Sequence, residues 1–188
     1  KKFPILIDQE GGRVSRLNKI INLKHFSQDF FGNLFKNDKD LFYITYKIYI
    51  EEVCKILKKI GININTVPVL DVRRKKSHNI IGDRSFSQNS DEVAKLGMEC
   101  IKLYKKNKIA TVVKHIPGHG MAKYDSHFRT PIVNISKKQL IKKDFKPFRK
   151  CNSLFAMTAH VIFKKYDANN TATHSKTIIN KVIRNHIN

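Results

Sequence analysis

Residues 109–127 read IATVVKHIPGHGMAKYDSH, and this stretch decides how the chain folds. Ile109 to Val113 is a short, apolar, β-branched run, which predicts a buried strand. Pro117, Gly118 and Gly120 forbid a helix directly after it and impose a loop. The strand therefore ends in Lys114-His115, and the loop carries His119, Asp125 and His127. A strand that fixes the first titratable groups, feeding a loop that carries more, is a common way to build an active site.

The same pattern repeats outward from this point. Residues 3–7 (FPILI) form an apolar run ending at Asp8, residues 62–70 alternate and then turn apolar before Asp71, and residues 154–159 run to His160. Helices are expected between these strands. One runs from Asp38 to Lys59 with Gly61 as its stop, and one from an N-cap at Ser90 to about Lys106. Another starts at the capping box Ser136-Lys137-Lys138-Gln139, with Pro147 opening a further turn, and the last runs from a cap at Ser175 to Ile183. Alternating strands and helices imply parallel strands joined by right-handed crossovers, in one domain covering residues 1–188. Every strand ends in a polar group: Asp8, Asp71, Lys114 with His115, and His160. That edge is where a (β/α) barrel or an open doubly wound sheet places its site.

Composition narrows the class of protein. The chain has 188 residues, 41% hydrophobic and 28% charged, which suits a globular domain rather than a disordered one. Its formal charge of +22 admits a nucleic-acid or anionic-surface partner. The lysines are nevertheless scattered, with no arginine-rich arm and no aromatic-basic motif, which argues for solvated faces and against both nucleic acid and membrane as partners. Cys54, Cys100 and Cys151 are far apart and form no Cys-x-x-Cys, which fits core thiols in a reducing, cytoplasmic compartment. No apolar run reaches the length of a membrane span. The chain begins Lys1-Lys2-Phe3 without a methionine, so residues before Lys1 are expected.

Several segments admit a functional and a plainer structural reading. Asp8-Gln9-Glu10-Gly11-Gly12-Arg13-Val14-Ser15-Arg16 leaves the first strand, and its double glycine allows backbone to approach a ligand while Asp8, Arg13 and Arg16 grip hydroxyls or a carboxylate. The plainer reading is a tight charged turn. Arg84, in IGDRSFS (81–87), is either a substrate clamp or half of a surface pair with Asp83. His115 and His119 have the i, i+4 spacing of zinc ligands on a helix, but Pro117 denies them the helix. A loop-built metal site from His115, His119, Asp125 and His127 competes with acid/base chemistry in which Asp125 orients His127. His25, His78, His174 and His186 read as ordinary surface or helix residues, and His160 as either a buried or a lining residue.

The segments DQEGGRVSR (8–16), PVLDV (68–72), IGDRSFS (81–87), KHIPGHG (114–120), DSH (125–127) and MTAHVIF (157–163) together resemble glycoside hydrolase family 3, and within it the bacterial β-N-acetylglucosaminidases of peptidoglycan recycling. The resemblance implies a TIM (β/α)8 barrel, about half of it present in this chain. It implies a retaining hydrolysis in which His127 is the general acid/base and Asp125 its partner, where the general glycosidase scheme has a second carboxylate. Asp8, Arg16, Arg84, Lys114 and His115 then bind an N-acetylglucosamine unit of a muropeptide-derived sugar, without metal or organic cofactor, in a protein expected to be a monomer when full length. Ile116 stands where the family usually has Phe. The family's nucleophilic aspartate is expected beyond Asn188, so the 188-residue piece alone is expected to be inactive, with two open sheet edges. The alternatives left standing are the metallohydrolase and a non-catalytic basic protein that binds glycan or nucleic acid.

Overall fold

A computed structural model describes residues 3–74, 79–122, 124, 128–149 and 151–187. The expectations for Asp125, His127 and His78 lie outside the described residues. Four parallel strands, β1 (Leu6–Ile7), β2 (Ile64–Asn65), β3 (Ala110–Ile116) and β5 (Phe155–Thr158), lie in the order β1-β2-β3-β5. Leu6 stands opposite Ile64, Ile64 opposite Ala110, and Val112 opposite Phe155. This is part of a TIM-type (β/α) barrel wall, with β1 and β5 as the outer strands. Leu6, Phe155 and Met157 on those strands are exposed.

Two expected strands are shorter than their apolar runs. Pro4 has no N–H to give a ladder, and residues 3–5 are instead held by the Asn63 side chain, which accepts from Ile5 N–H at 2.9 Å and donates to the Phe3 carbonyl at 2.6 Å. Pro68 likewise interrupts the run 62–70. Pairing with β3 resumes beyond it, where Leu70 N–H donates to the Lys114 carbonyl at 2.7 Å.

The helices follow their caps. Helix α1 (Gln28–Asn37), in the long segment after β1, was not expected from the sequence; Ser27 caps it by accepting from Phe30 N–H at 3.1 Å. Asp38 ends α1 and opens α2 (Lys39–Lys59), with its backbone N–H on the Leu34 carbonyl and its carboxylate accepting from Leu41 N–H at 2.9 Å. Phe31 and Phe35 of α1 meet Tyr46 and Phe42 of α2 at ring-centroid distances of 4.6 and 5.3 Å, which makes an aromatic seam. The cap of α3 (Ser90–Lys106) is Asn89, not the expected Ser90, because the Asn89 side chain reaches both Asp91 and Glu92 N–H groups. Ser136 and Ser175 cap their helices as expected. The first, α4 (Lys137–Gln139), continues as a π-type turn to Asp144, and the last, α5 (Ile178–Ile187), is also wound in the wide π form. A separate parallel pair joins β4 (Ile132–Val133) to β6 (Ile162–Phe163). It ties the segment after the Gly-rich loop to the segment after β5, and Val133 and Phe163 are buried in the core.

Cys54, Cys100 and Cys151 are free thiols, the first two fully in the core and Cys151 packed against it. Burial pushes the Cys54 and Cys100 thiols up to about 12, so both are protonated core residues.

Candidate active site

The strand ends meet in one cavity of about 360 Å³, lined among others by Asp8, Glu10, Arg16, Arg84, Lys114 and His115. Met157, Thr158 and His160 close it on the β5 side. All five of the residues expected to bind substrate therefore share one wall, although they come from two separate loops and the end of β3.

The floor is a network of buried charge. Lys114 is 2% exposed, and its ammonium lies 2.7 Å from Asp8 Oδ1, 2.6 Å from Glu10 Oε1 and 3.0 Å from Thr66 Oγ1. These three partners take the three N–H donors of the ammonium. The Thr66 hydroxyl also bonds Asp8. Glu10 receives Arg84 through two prongs, Nε to Oε2 at 2.8 Å and Nη2 to Oε1 at 2.9 Å, and a third guanidinium nitrogen donates to the Ile80 carbonyl at 3.2 Å. Burial would raise the Glu10 carboxyl, but the Arg84 hydrogen bonds and the Lys114 and Arg84 charges prevail and hold it below its usual range. The same contest, with Lys114 and Thr66 as the winning partners, holds Asp8 low. Burial would lower Arg84, and the Glu10 hydrogen bonds and charge outweigh it and raise it.

A second carboxylate lies beneath the Gly-rich loop. Asp71 is fully buried; its Oδ2 is 2.6 Å from His115 Nδ1, and its Oδ1 accepts from His119 N–H at 2.6 Å. Burial acts to raise it, and the charges and hydrogen bonds of the two histidine positions bring it down instead. The β3 ladder shifts register between Lys114 and Ile116, and there both Lys114 and His115 line the cavity; an irregularity in a strand commonly re-aims side chains in this way. Beside this loop, burial pushes the Asp144 carboxyl up to about 6, against the opposing pull of Arg74 at 3.0 Å.

Arg16 reaches the cavity mouth through its backbone. Gln9 is fully buried, and its amide oxygen accepts from the Ser15 hydroxyl and from Arg16 and Leu17 N–H groups at 2.8–3.2 Å. Asn65 in turn clamps both backbone groups of Gln9. Gly11 and Gly12, at φ +88° and +58°, make the turn that brings this segment back; a Cβ on Gly11 would lie 2.2 Å from the Phe26 carbonyl oxygen.

The structure redistributes some expected roles. Arg13 does not face the cavity. It pairs with Asp83 at 2.8 Å and donates to carbonyls at Asn79, Ile80 and Ile81, so it staples two loops together. Arg84 is thereby freed from the surface pair with Asp83 that its sequence neighbour suggested. Glu10, Thr66 and Asp71 were not singled out as site residues in the sequence. Glu10 and Asp71 each carried a legible signal, as carboxylates at or just beyond a strand end; Thr66 carried none. Of the four residues in the metal reading, Asp125 and His127 lie outside the described residues; among the described residues no group of three or more His, Cys, Asp or Glu is placed to hold a metal ion.

Comparison with known proteins agrees with this geometry. The model of the glycosyl hydrolase family 3 N terminal domain matches residues 2–188. β-Hexosaminidase A of Pseudoalteromonas piscicida is 32% identical over 167 residues, covering 87% of this chain and 27% of that protein. The β-hexosaminidase of Actinobacillus pleuropneumoniae serotype 3 is 31% identical, covering 100% of this chain and 54% of its own length. The crystal structure of NagZ from Neisseria gonorrhoeae in complex with N-trifluoroacetyl-D-glucosamine superposes with a TM-score of 0.89 at 28% identity, over 98% of this chain and 55% of that one. The chain thus spans about a quarter to about half the length of these relatives. Parallel strands that gather Asp8, Arg84, Lys114 and His115 at one end, matched along nearly every residue, place this chain in glycosyl hydrolase family 3, within its N-terminal domain.

Proposed function

We propose that the protein containing this chain removes terminal, non-reducing β-linked N-acetylglucosamine from peptidoglycan-derived sugars. The observation that carries this reading is the charge balance of the cavity floor. Asp8, Glu10 and Asp71 face Lys114 and Arg84, with Arg16 as a third cation at the mouth. Such a floor has no large unmatched charge to attract an anion. It offers Asp8 as an acceptor and the remaining Arg84 N–H groups as donors, which suits a neutral ligand rich in hydroxyls. The cavity volume of about 360 Å³ suits one sugar ring, at the lower end of the roughly 300–1,000 Å³ range of small-molecule sites. The β-hexosaminidase relatives support the same substrate class.

In this reading Asp8, Arg16, Arg84, Lys114 and His115 bind the sugar. Lys114 donates to it in exchange for a present partner such as Thr66. His127, oriented by Asp125, protonates the leaving glycosidic oxygen while an aspartate beyond Asn188 attacks the anomeric carbon. His127 then takes a proton from the water that releases the sugar, so the configuration is retained. His127 gives its proton as the imidazolium and takes one back as the neutral imidazole, so neither form places a second negative charge beside the anionic nucleophile. No metal or organic cofactor takes part, and the protein works as a cytoplasmic monomer. The three free cysteines support that compartment, and no described helix is long and apolar enough to cross a membrane.

The test is hydrolysis of a chromogenic β-N-acetylglucosaminide by the longer polypeptide. Turnover is expected, with kcat lowered about 10²- to 10⁴-fold in His127→Ala. No turnover, or turnover indifferent to that change, overturns the proposal.

A further inference from the structure

Asp71 makes three contacts through two oxygens. Oδ1 accepts the His119 backbone N–H at 2.6 Å; Oδ2 accepts the His115 backbone N–H at 3.3 Å and sits 2.6 Å from His115 Nδ1. Two of the three partners are donors that cannot change. The third is the imidazole nitrogen; burial would raise the Asp71 carboxyl, but the charge and hydrogen bond of His115, with those of His119, hold it below its usual range, so it has no proton to give. A lone pair on Nδ1 would face that anion at 2.6 Å, whereas an N–H there completes the set. With Nδ1 turned to Asp71, Nε2 lies on the opposite edge of a ring that lines the cavity beside Asp8, Arg84 and Lys114. The His119 ring is 5.6 Å away, centroid to centroid, and no described hydrogen bond occupies His115 Nε2.

We propose that Asp71 is a positioning residue that keeps the proton of the neutral His115 ring on Nδ1, so that Nε2 presents a lone pair to a hydroxyl of the sugar. The cavity then recognises its ligand with a matched acceptor pair, Asp8 and His115 Nε2, around the donors of Arg84. The ligand half of this inference rests on the glycan reading above; the proton position does not.

The experiment is two-bond ¹H–¹⁵N correlation spectroscopy of the ¹⁵N-labelled chain across a pH titration, with His115→Gln assigning the ring. On the alkaline plateau, Nδ1 is expected to show the protonated shift and Nε2 the bare one. Asp71→Asn is expected to reverse them. The backbone N–H of His119 keeps the amide oxygen, which leaves the NH₂ against His115 Nδ1 and drives the ring proton to Nε2. A wild-type proton on Nε2 overturns the proposal, as does a folded Asp71→Asn that keeps it on Nδ1. If Asp71→Asn does not fold, the wild-type plateau decides alone. N-Acetylglucosamine is then added to the wild type. A shift of the Nε2 resonance together with the Lys114 and Arg84 amides is expected. Amide shifts with an unmoved Nε2 overturn the ligand half, and no shift at any amide counts against the glycan reading while the proton position stands on the first spectra.

Discussion

Glu10 and Arg84 are 74 residues apart in the chain and are joined by two parallel ion-paired hydrogen bonds, 2.8 and 2.9 Å long. Glu10 also holds the Lys114 ammonium, and its side chain is 2% exposed. One carboxylate therefore fixes both cations of the cavity floor, and the loop after β1 and the loop after β2 are locked to the end of β3 through it. A bidentate pair suits this task because it sets the plane of the guanidinium as well as its distance.

Removing that carboxylate leaves two buried cations uncompensated. Glu10→Ala is expected to destabilise the chain by about 3–5 kcal/mol, as for other buried pairs broken from one side. Urea unfolding followed by circular dichroism measures it; a loss below about 1 kcal/mol would show that the cluster is wetter and looser than these distances state.

Arg16 separates binding from stability. Its side chain is exposed at the mouth, while its backbone is what Gln9 holds. Arg16→Ala is expected to leave unfolding stability within about 0.5 kcal/mol. It is expected to weaken sugar binding about ten- to a hundredfold, the loss of a charged hydrogen bond worth about 1.5–3 kcal/mol. Calorimetric titration of N-acetylglucosamine alongside thermal melts checks both halves.

Asp144 predicts an unusual pH slope. Burial raises its folded pKa to about 6, from an unfolded value near 3.8. Between those values the unfolded chain releases a proton that the native state keeps, so stability falls as pH rises through the window from about 4 to about 6, by up to about 3 kcal/mol. Asp8, Glu10 and Asp71 act with the opposite sign. Their folded pKa values are depressed, so the stability they contribute is present above about pH 4 and is lost as pH falls further. Asp144→Asn is expected to flatten the slope above pH 4 and leave the acid limb intact in melts at stepped pH. An unchanged slope above pH 4 would exclude Asp144 as its source.

Gly32 tests how α1 is docked. A Cβ there would lie 1.8 Å from the Phe86 carbonyl oxygen, in the turn that carries Arg84. Gly32→Ala is expected to cost about 1–3 kcal/mol through backbone displacement, despite the better helix propensity of alanine. A neutral or stabilising result in denaturant titration would mean that the helix and the turn are not in contact.

The parallel architecture was legible because local chemistry states it. Apolar runs ending in Asp8, Asp71, Lys114-His115 and His160, with Asp38, Ser136 and Ser175 capping helices between them, leave few topologies open, and the observed β1-β2-β3-β5 order is among them. Helix α1 was not expected from the sequence, although Ser27, Asp29 and the spacing Phe31, Leu34, Phe35 mark it. The β4–β6 pair had almost no signal: two-residue strands carry no measurable period, and only tertiary contact makes them strands.

Residue types and their order along the chain were sufficient to say that Asp8, Asp71, Lys114 with His115 and His160 share one edge, because strand direction places those strand ends together; Arg16 and Arg84 were added to a binding set only by the family resemblance. Which charges neutralise which was decided only in three dimensions. Asp83 follows Gly82 and precedes Arg84, yet it pairs with Arg13, while Arg84 crosses to Glu10. Burial makes that choice: an ion pair at a wet surface is nearly free to exchange partners, whereas a cation enclosed with Glu10 has nowhere else to place its hydrogen bonds.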